Sequence, residues 1–279
     1  MKYLSFLCLF CLALPMAAQD APDNAPLVQF TFGGLRLING QSVETLPQGW
    51  LDFSVAHRFS PIDGVQNFFG LDGTSNFRLG LAYGLTDRLS VGVGRSRLGK
   101  RYDSFAKYKL LRQRESGMPL SASLLLGSSI STDPTAPDEV DYLTLPHRLH
   151  YLAQVLVARK MGQLSLQLAP TLVHRNLTDY QSEANSVLAL GGGLRWQISR
   201  RMSLTGEYYH RFNPGQHPQQ PARAPVALSW DIETPLHRFQ LQFTNAFSLL
   251  EPGFLTQTTE QVWDGGVRFG FQISRVFRP

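Results

Sequence analysis

Cysteine is nearly missing from this chain of 279 residues: there are two, Cys8 and Cys11, and both lie in the first eighteen positions. Neither has the small-residue context of a lipoprotein cysteine. Beyond that segment no thiol remains, so neither disulfides nor cysteine-ligated metal can hold the fold. Long apolar runs are also missing. After the N-terminal segment no stretch approaches the ~18 consecutive apolar residues of a membrane-spanning helix. Runs of like charge are absent too. The 26 Lys and Arg residues and 21 Asp and Glu residues are scattered, which excludes the basic stripe of a nucleic-acid-binding protein.

What is present begins with MKYLSFLCLFCLALPMAAQ, one lysine ahead of a short apolar run that ends in the small residues Ala17 and Ala18. Residues 1–18 are expected to be a cleaved export signal, since the run is too short to span a bilayer and has no basic flank after it. Losing Lys2 leaves a weakly basic chain that must fold by burial and backbone pairing alone.

From Gly49 onward apolar and polar residues alternate with period two, the pattern of strands with two unlike faces. Twelve such segments can be read: 49–59, 75–85, 89–97, 101–113, 119–131, 147–160, 163–174, 186–199, 203–211, 224–234, 237–246 and 265–277. In NFRLGLAYGL the apolar set is Phe77, Leu79, Leu81, Tyr83 and Leu85. Short connections (86–88, 115–119, 161–162, 199–202, 235–236) alternate with longer polar ones (60–74, 132–146, 175–185, 212–223, 247–264), with 98–100 the one short member of the second set. Tight turns at one end and long loops at the other predict an all-β fold, a transmembrane up-and-down antiparallel β-barrel of about 12 strands, residues 49–279, with both termini on the periplasmic side. Turn parity supports this register. The two-residue Pro235–Leu236 turn places Glu233 opposite Arg238.

Twelve strands enclose too wide a space for their own side chains to fill, so the apolar face is expected to meet lipid. Aromatics on that face gather at strand ends, with Phe59, Tyr102, Tyr151 and Tyr208 near the long loops and Tyr83, Trp196, Trp230 and Phe239 near the short turns. Two interfacial girdles have this arrangement. The charged and histidine residues of the apolar face, His57, Arg95, Arg159, His174 and His210, also fall at strand ends. The final strand carries a late aromatic, Phe277, as the signal read by the outer-membrane assembly machinery does, although Arg278 and Pro279 follow it.

The strings RLINGQSVETLPQGWLDFSVAHRF (36–59), YDSFAKYKLLRQ (102–113), LSLQLAPTLVHRN (164–176) and DIETPLHRFQLQFTN (231–245) resemble a family of Gram-negative outer-membrane β-barrels of unknown function, from about residue 30 to the end. Members of that family commonly carry a glycine pair where this chain has Pro235 and Leu236. The resemblance implies a bacterial outer-membrane location and no particular activity.

Function is therefore read from the residues. Arg58, Arg78, Lys107, Lys109 and Arg268 are expected on one wall of the lumen and Glu207, Asp231 and Glu233 on the wall opposite, with Arg195, Arg211 and Arg238 lining it as well. Such a split would set a transverse field favouring small polar or ionic solutes; the competing expectation is a ladder of salt bridges that fills a closed lumen. Five of the seven histidines precede an arginine (His57, His147, His174, His210, His237), but adjacent strand residues face opposite ways and cannot share a site. His57, His147, His174 and His210 are instead expected at the long-loop rim, against lipid headgroups or lipopolysaccharide phosphates. No His-x-Ser occurs, so the strand spacing of a barrel lipase is lacking and no enzyme is expected. DPTAPDEVD (133–141) lacks the spacing of a calcium loop, and neither metal nor cofactor is expected. Residues 19–48, which supply no strand, are expected either to fold into the periplasmic mouth as a plug or to hang below it as a tail. The combined expectation is a narrow channel or transporter component; the alternative is a non-conducting, structural or partner-binding barrel.

Overall fold

The computed structural model describes residues 25–133, 144–178, 183–213 and 222–278. Its frame is a closed antiparallel barrel of twelve strands: β1 (Leu51–Pro61), β2 (Asn76–Gly84), β3 (Leu89–Ser96), β4 (Arg101–Leu111), β5 (Ser121–Ser131), β6 (Leu149–Met161), β7 (Leu164–Arg175), β8 (Ser186–Gln197), β9 (Met202–Arg211), β10 (Val226–Glu233), β11 (His237–Thr244) and β12 (Arg268–Phe277). Each strand pairs with its sequence neighbours, and β12 closes on β1 with Leu51 opposite Phe277. Closure satisfies every ladder from within the sheet, as backbone in hydrocarbon requires, because each unpaired group there costs several kcal/mol. No described helix is long and apolar enough to cross a membrane; the strands make the crossing.

Alternation fixes which face looks out. On β2, Asn76, Arg78, Gly80, Ala82 and Gly84 are buried while Leu79, Leu81 and Tyr83 are exposed. The girdle aromatics Tyr102, Tyr151, Tyr208, Tyr83, Trp196, Trp230 and Phe239 are exposed on the outer face. Phe59 stacks on Phe269, with centroids 5.8 Å apart. The expected register holds at the turn after β10, where Glu233 faces Arg238 and Thr234 donates to the His237 carbonyl at 2.8 Å. The turn after β6 keeps its parity but sits one residue later: Met161 pairs with Leu164, so Gly162 and Gln163 make the bend. Gly162 has φ +61°, a left-handed conformation that suits glycine and fixes the turn there. Elsewhere strand ends coincide or differ by up to three residues. The fifth starts at Ser121 rather than 119, since Pro119 has no N–H to give a ladder.

The barrel is occupied. Residues 25–50 enter from the short-turn end, where Val28 N–H donates to the Gln113 carbonyl (2.9 Å) and Glu115 N–H to that of Pro26 (3.0 Å). Inside they form a tight hairpin with Arg36 opposite Gln41, closed by Leu37 N–H to Gly40 O and Ser42 N–H to Leu35 O, both 2.9 Å. From the long-loop end, the connection between β11 and β12 folds inward and carries helix α1 (Glu251–Gln257), whose first six residues are buried. Helix α1 packs against β6, β7 and β8.

An apolar core lies inside the lumen, and the hydrophobic faces of β5–β8 explain it. Leu125, Leu152, Leu156, Ala169, Val173 and Ala189 point inward and cluster with Phe32, Leu37 and Val43 of the N-terminal segment and Phe254 and Leu255 of α1. The expectation that a twelve-stranded lumen is too wide for such a core needs this correction: chain from outside the strands supplies the missing volume.

Candidate functional site: the occupied lumen

The eleven side chains expected to line the lumen lie at inward positions of β1, β2, β4, β8, β9, β10, β11 and β12, ten of them buried and Glu233 partly exposed. Their arrangement differs from a transverse split in two respects. First, the opposition holds only for β4, whose Lys107 and Lys109 stand across from Asp231 and Glu233 on β10, whereas β1 and β2, with Arg58 and Arg78, face β7 and β8, which carry none of the three acids. Second, the basic wall carries its own acids, Asp52 on β1 and Asp103 on β4, and Arg78 forms two bonds with Asp103, from Nε at 3.0 Å and from a terminal nitrogen at 2.5 Å. The sequence pattern contained both acids at inward positions, but neither entered the expected set.

Much of this charge is engaged by the N-terminal segment. The Glu207 carboxylate accepts three N–H bonds from the hairpin tip, Ile38 at 2.9 Å, Asn39 at 3.0 Å and Gly40 at 2.9 Å. Only glycine fits at position 40, because a Cβ there would lie 1.9 Å from Tyr209 Oη. Lys107 Nζ donates to the carbonyls of Leu35 (2.9 Å), Ser42 (2.9 Å) and Glu44 (3.1 Å), while Lys109 approaches the Glu44 carboxylate at 3.6 Å. Gln240 donates to Leu37 O and Arg238 to Arg36 O, both at 2.7 Å. On the far wall Gln167 brackets the segment, accepting from Val43 N–H at 2.7 Å and donating to Gln41 O at 2.8 Å.

Arg238 stands opposite Glu233 as expected but pairs more closely with another acid. Its carboxylate partner is Asp231 at 2.9 Å, with Glu233 at 4.0 Å, and Glu233 is held instead by Arg195 through two bonds of 2.9 Å. At the long-loop end Arg58 donates to the carbonyls of Ala246 (3.0 Å) and Ser248 (3.1 Å), and Arg211 to that of Leu255 (2.8 Å). Arg268 pairs with Glu260 at 3.2 Å. The two occupants meet where Arg36 contacts Glu251 at 3.2 Å and donates to Leu249 O at 3.1 Å.

The segment docks on the apolar β5–β8 side and leaves a gap on the other. There the short side chains of Ser54, Ala82 and Ser274 leave a small gap between the wall and Gly34, Arg36 and Gln41. Arg78, Arg238 and Asp52 also line this gap. The room open to the centre of a water molecule is only about 20 Å³, enough for about one or two waters and too little for a hydrated ion.

The four rim histidines lie at the long-loop end. His57 stacks on Phe271 (5.5 Å), His210 is edge-on to Phe212 (5.1 Å), and His147 sits in a short 3-10 turn, Leu145–Arg148. His174 stacks on Tyr151, and its Nδ1 is 2.8 Å from Ser186 Oγ on the adjacent strand. A search for His-x-Ser misses this cross-strand pair. Among the described residues no side chain holds the other ring nitrogen, so the orienting member of a catalytic triad is lacking. Of DPTAPDEVD only Asp133 is among the described residues, and it pairs with Lys100 at 3.4 Å. Among the described residues no group of three or more His, Cys, Asp or Glu side chains could hold a metal ion.

Outer-membrane barrels of known structure share its fold. The COG4313 outer membrane channel from Pseudomonas putida F1 superposes with a TM-score of 0.52 at 15% identity, over 84% of this chain and 98% of that one. The KdgM porin does so with a TM-score of 0.50 at 9% identity, over 82% and 99%. At these identities the likeness concerns the fold. No curated protein sequence matches the chain. The family model described as a membrane-bound beta barrel domain (DUF5777) matches residues 32–277, which takes in the hairpin, the inward loop and all twelve strands, and the chain belongs to that family.

Proposed function

We propose that this protein is a gated outer-membrane channel for small polar or ionic solutes, without enzymatic activity, exported by a cleaved signal at residues 1–18. The observation that carries this reading is the polar gap along β12, β1 and β2, lined by Arg36, Arg78, Arg238, Asp52, Gln272 and Ser54. A lumen meant only to be filled would be expected to place larger side chains where Ser54 and Ser274 stand. The short-turn end then faces the periplasm, residues 25–50 act as a plug from that side, and the loop bearing α1 covers the path from outside. Lipid and lipopolysaccharide contact the outer face, with His57, His147, His174 and His210 at headgroup level, and the assembly machinery reads the last strand. The fold likeness to a channel and a porin is compatible with this reading and does not identify the solute.

The gap can be closed without touching a charge. Ser54→Phe projects a ring into it, so single-channel conductance in planar bilayers is expected to fall at least severalfold relative to the unsubstituted protein. Unchanged conductance would place the path elsewhere. A second reading, a non-conducting barrel that binds a partner, is favoured by how completely the two occupants fill the lumen; absence of current from the unsubstituted protein under every condition would support it.

A further inference from the structure

The inward positions of the twelve strands carry eleven Lys and Arg residues against five Asp and Glu, and the surplus is concentrated toward the long loops. Arg58, Arg211 and Arg268 stand at that end of β1, β9 and β12; Arg175, at that end of β7, pairs with Glu183 of the following loop at 2.9 Å. Of the five acids, Asp52, Asp231 and Glu233 lie toward the short turns, Glu207 is engaged by the hairpin tip, and Asp103 by Arg78.

Two of these arginines are held in an unusual way. Arg58 is fully buried, yet its terminal nitrogens bond only to the Ala246 and Ser248 carbonyls and the Gln242 amide oxygen. Its Nε has no acceptor. Arg211 donates to the Leu255 carbonyl, and among the described residues no carboxylate lies within ion-pair distance of either guanidinium. Carbonyl oxygens satisfy the geometry of a guanidinium without neutralising it, and a buried cation without a counter-charge is unfavourable.

The chain that provides those carbonyls is itself acidic. Residues 245–267 contain Glu251, Glu260 and Asp264 and no Lys or Arg, and Glu251 and Glu260 reach Arg36 and Arg268. An acidic loop thus lies in a cationic chamber, using weaker acceptors than a free oxyanion would offer to the same forks.

We propose that the long-loop half of the lumen is a binding site for an anionic solute bearing carboxylate, phosphate or sulfate groups, and that residues 246–257 occupy this site until the solute displaces them. The site deepens the channel reading and rests on it for the solute's onward passage. Its recognition elements are the Arg58 and Arg211 guanidinium groups, with Arg268 contributing charge.

The test uses the barrel with its N-terminal segment in place, folded in detergent free of lipopolysaccharide. Amide hydrogen exchange of residues 246–257 is followed by mass spectrometry as citrate is added, with sodium chloride of equal ionic strength as the control. Citrate is expected to accelerate exchange in this loop at least fivefold and to leave the strands unchanged. Arg58→Gln and Arg211→Gln should each raise the half-saturating citrate concentration at least tenfold. Arg58→Lys, which keeps the charge, should raise it less, and serves if the glutamine variant does not give a heat-modifiable barrel. No citrate effect in the unsubstituted protein, or an equal effect in both glutamine variants, would overturn the site whether or not the barrel conducts. A citrate response in a barrel that passes no current would keep the site and refute the channel reading.

Discussion

At the scale of single residues, the inner charges act mainly on backbone. Glu207 gathers three N–H groups of one hairpin tip, and charge-assisted acceptors of this kind are roughly twice as strong as neutral ones. Glu207→Gln keeps the size but offers one oxygen, so docking of the segment should weaken by about 1–3 kcal/mol. The expected readout is faster protease cleavage within residues 36–44 of the folded barrel; cleavage at the unsubstituted rate would mean that apolar packing alone holds the tip. Arg238 shows how the register could be right and the energetic inference incomplete. A cross-strand pair with Glu233 would be worth about 0.2–1 kcal/mol, but the guanidinium also neutralises the fully buried Asp231 and holds Arg36 O. Arg238→Gln should therefore lower stability by about 3–5 kcal/mol, the cost of leaving a buried charge unpaired. Glu233→Gln, at a partly exposed carboxylate that holds the buried Arg195, should cost less, about 1–3 kcal/mol. Equal losses in urea titrations of the two variants would show that Asp231 does not depend on Arg238.

At the scale of elements, the strands were legible because a membrane barrel imposes one rule on every residue: alternate faces, and turns whose parity preserves them. The Glu233–Arg238 register and the closing pair of β1 and β12 follow from that rule. The interior occupants obey no such period. Residues 19–48 could be read as a plug, but the hairpin is closed by only a few local bonds and held by side-chain hydrogen bonds from β4, β5, β7, β9 and β11. Helix α1 was not legible at all. EPGFLTQ is seven residues long with Pro252 and Gly253 in its first turn, a weak helix former that exists because Phe254 and Leu255 are buried against β6–β8. The signal that could have revealed it lies on the wall: Leu124–Leu126 on β5 and YLAQVLVA on β6 are apolar on both faces, which a strand between lipid and water has no reason to be. Phe254→Asp should therefore free α1, since a carboxylate cannot stay in that cluster without a partner. Protease added to whole cells should then cut within residues 248–258, where the unsubstituted protein resists; continued resistance would contradict the packing described.

At the scale of the whole molecule, the protein is a membrane barrel whose lumen is closed from both ends by its own chain. The two occupants meet at the Arg36–Glu251 pair, so loosening either one exposes the other's charge. The barrel wall does not depend on them for its ladders, which close from β1 to β12 without the segment. Deleting residues 24–46 should thus leave a heat-modifiable barrel with an enlarged path. The most direct measurement is single-channel recording of this deletion beside the full-length protein in planar bilayers. The account predicts conductance at least severalfold larger in the deletion than in the full-length protein; equal conductance, or none in either, from barrels that both migrate as folded species would contradict it.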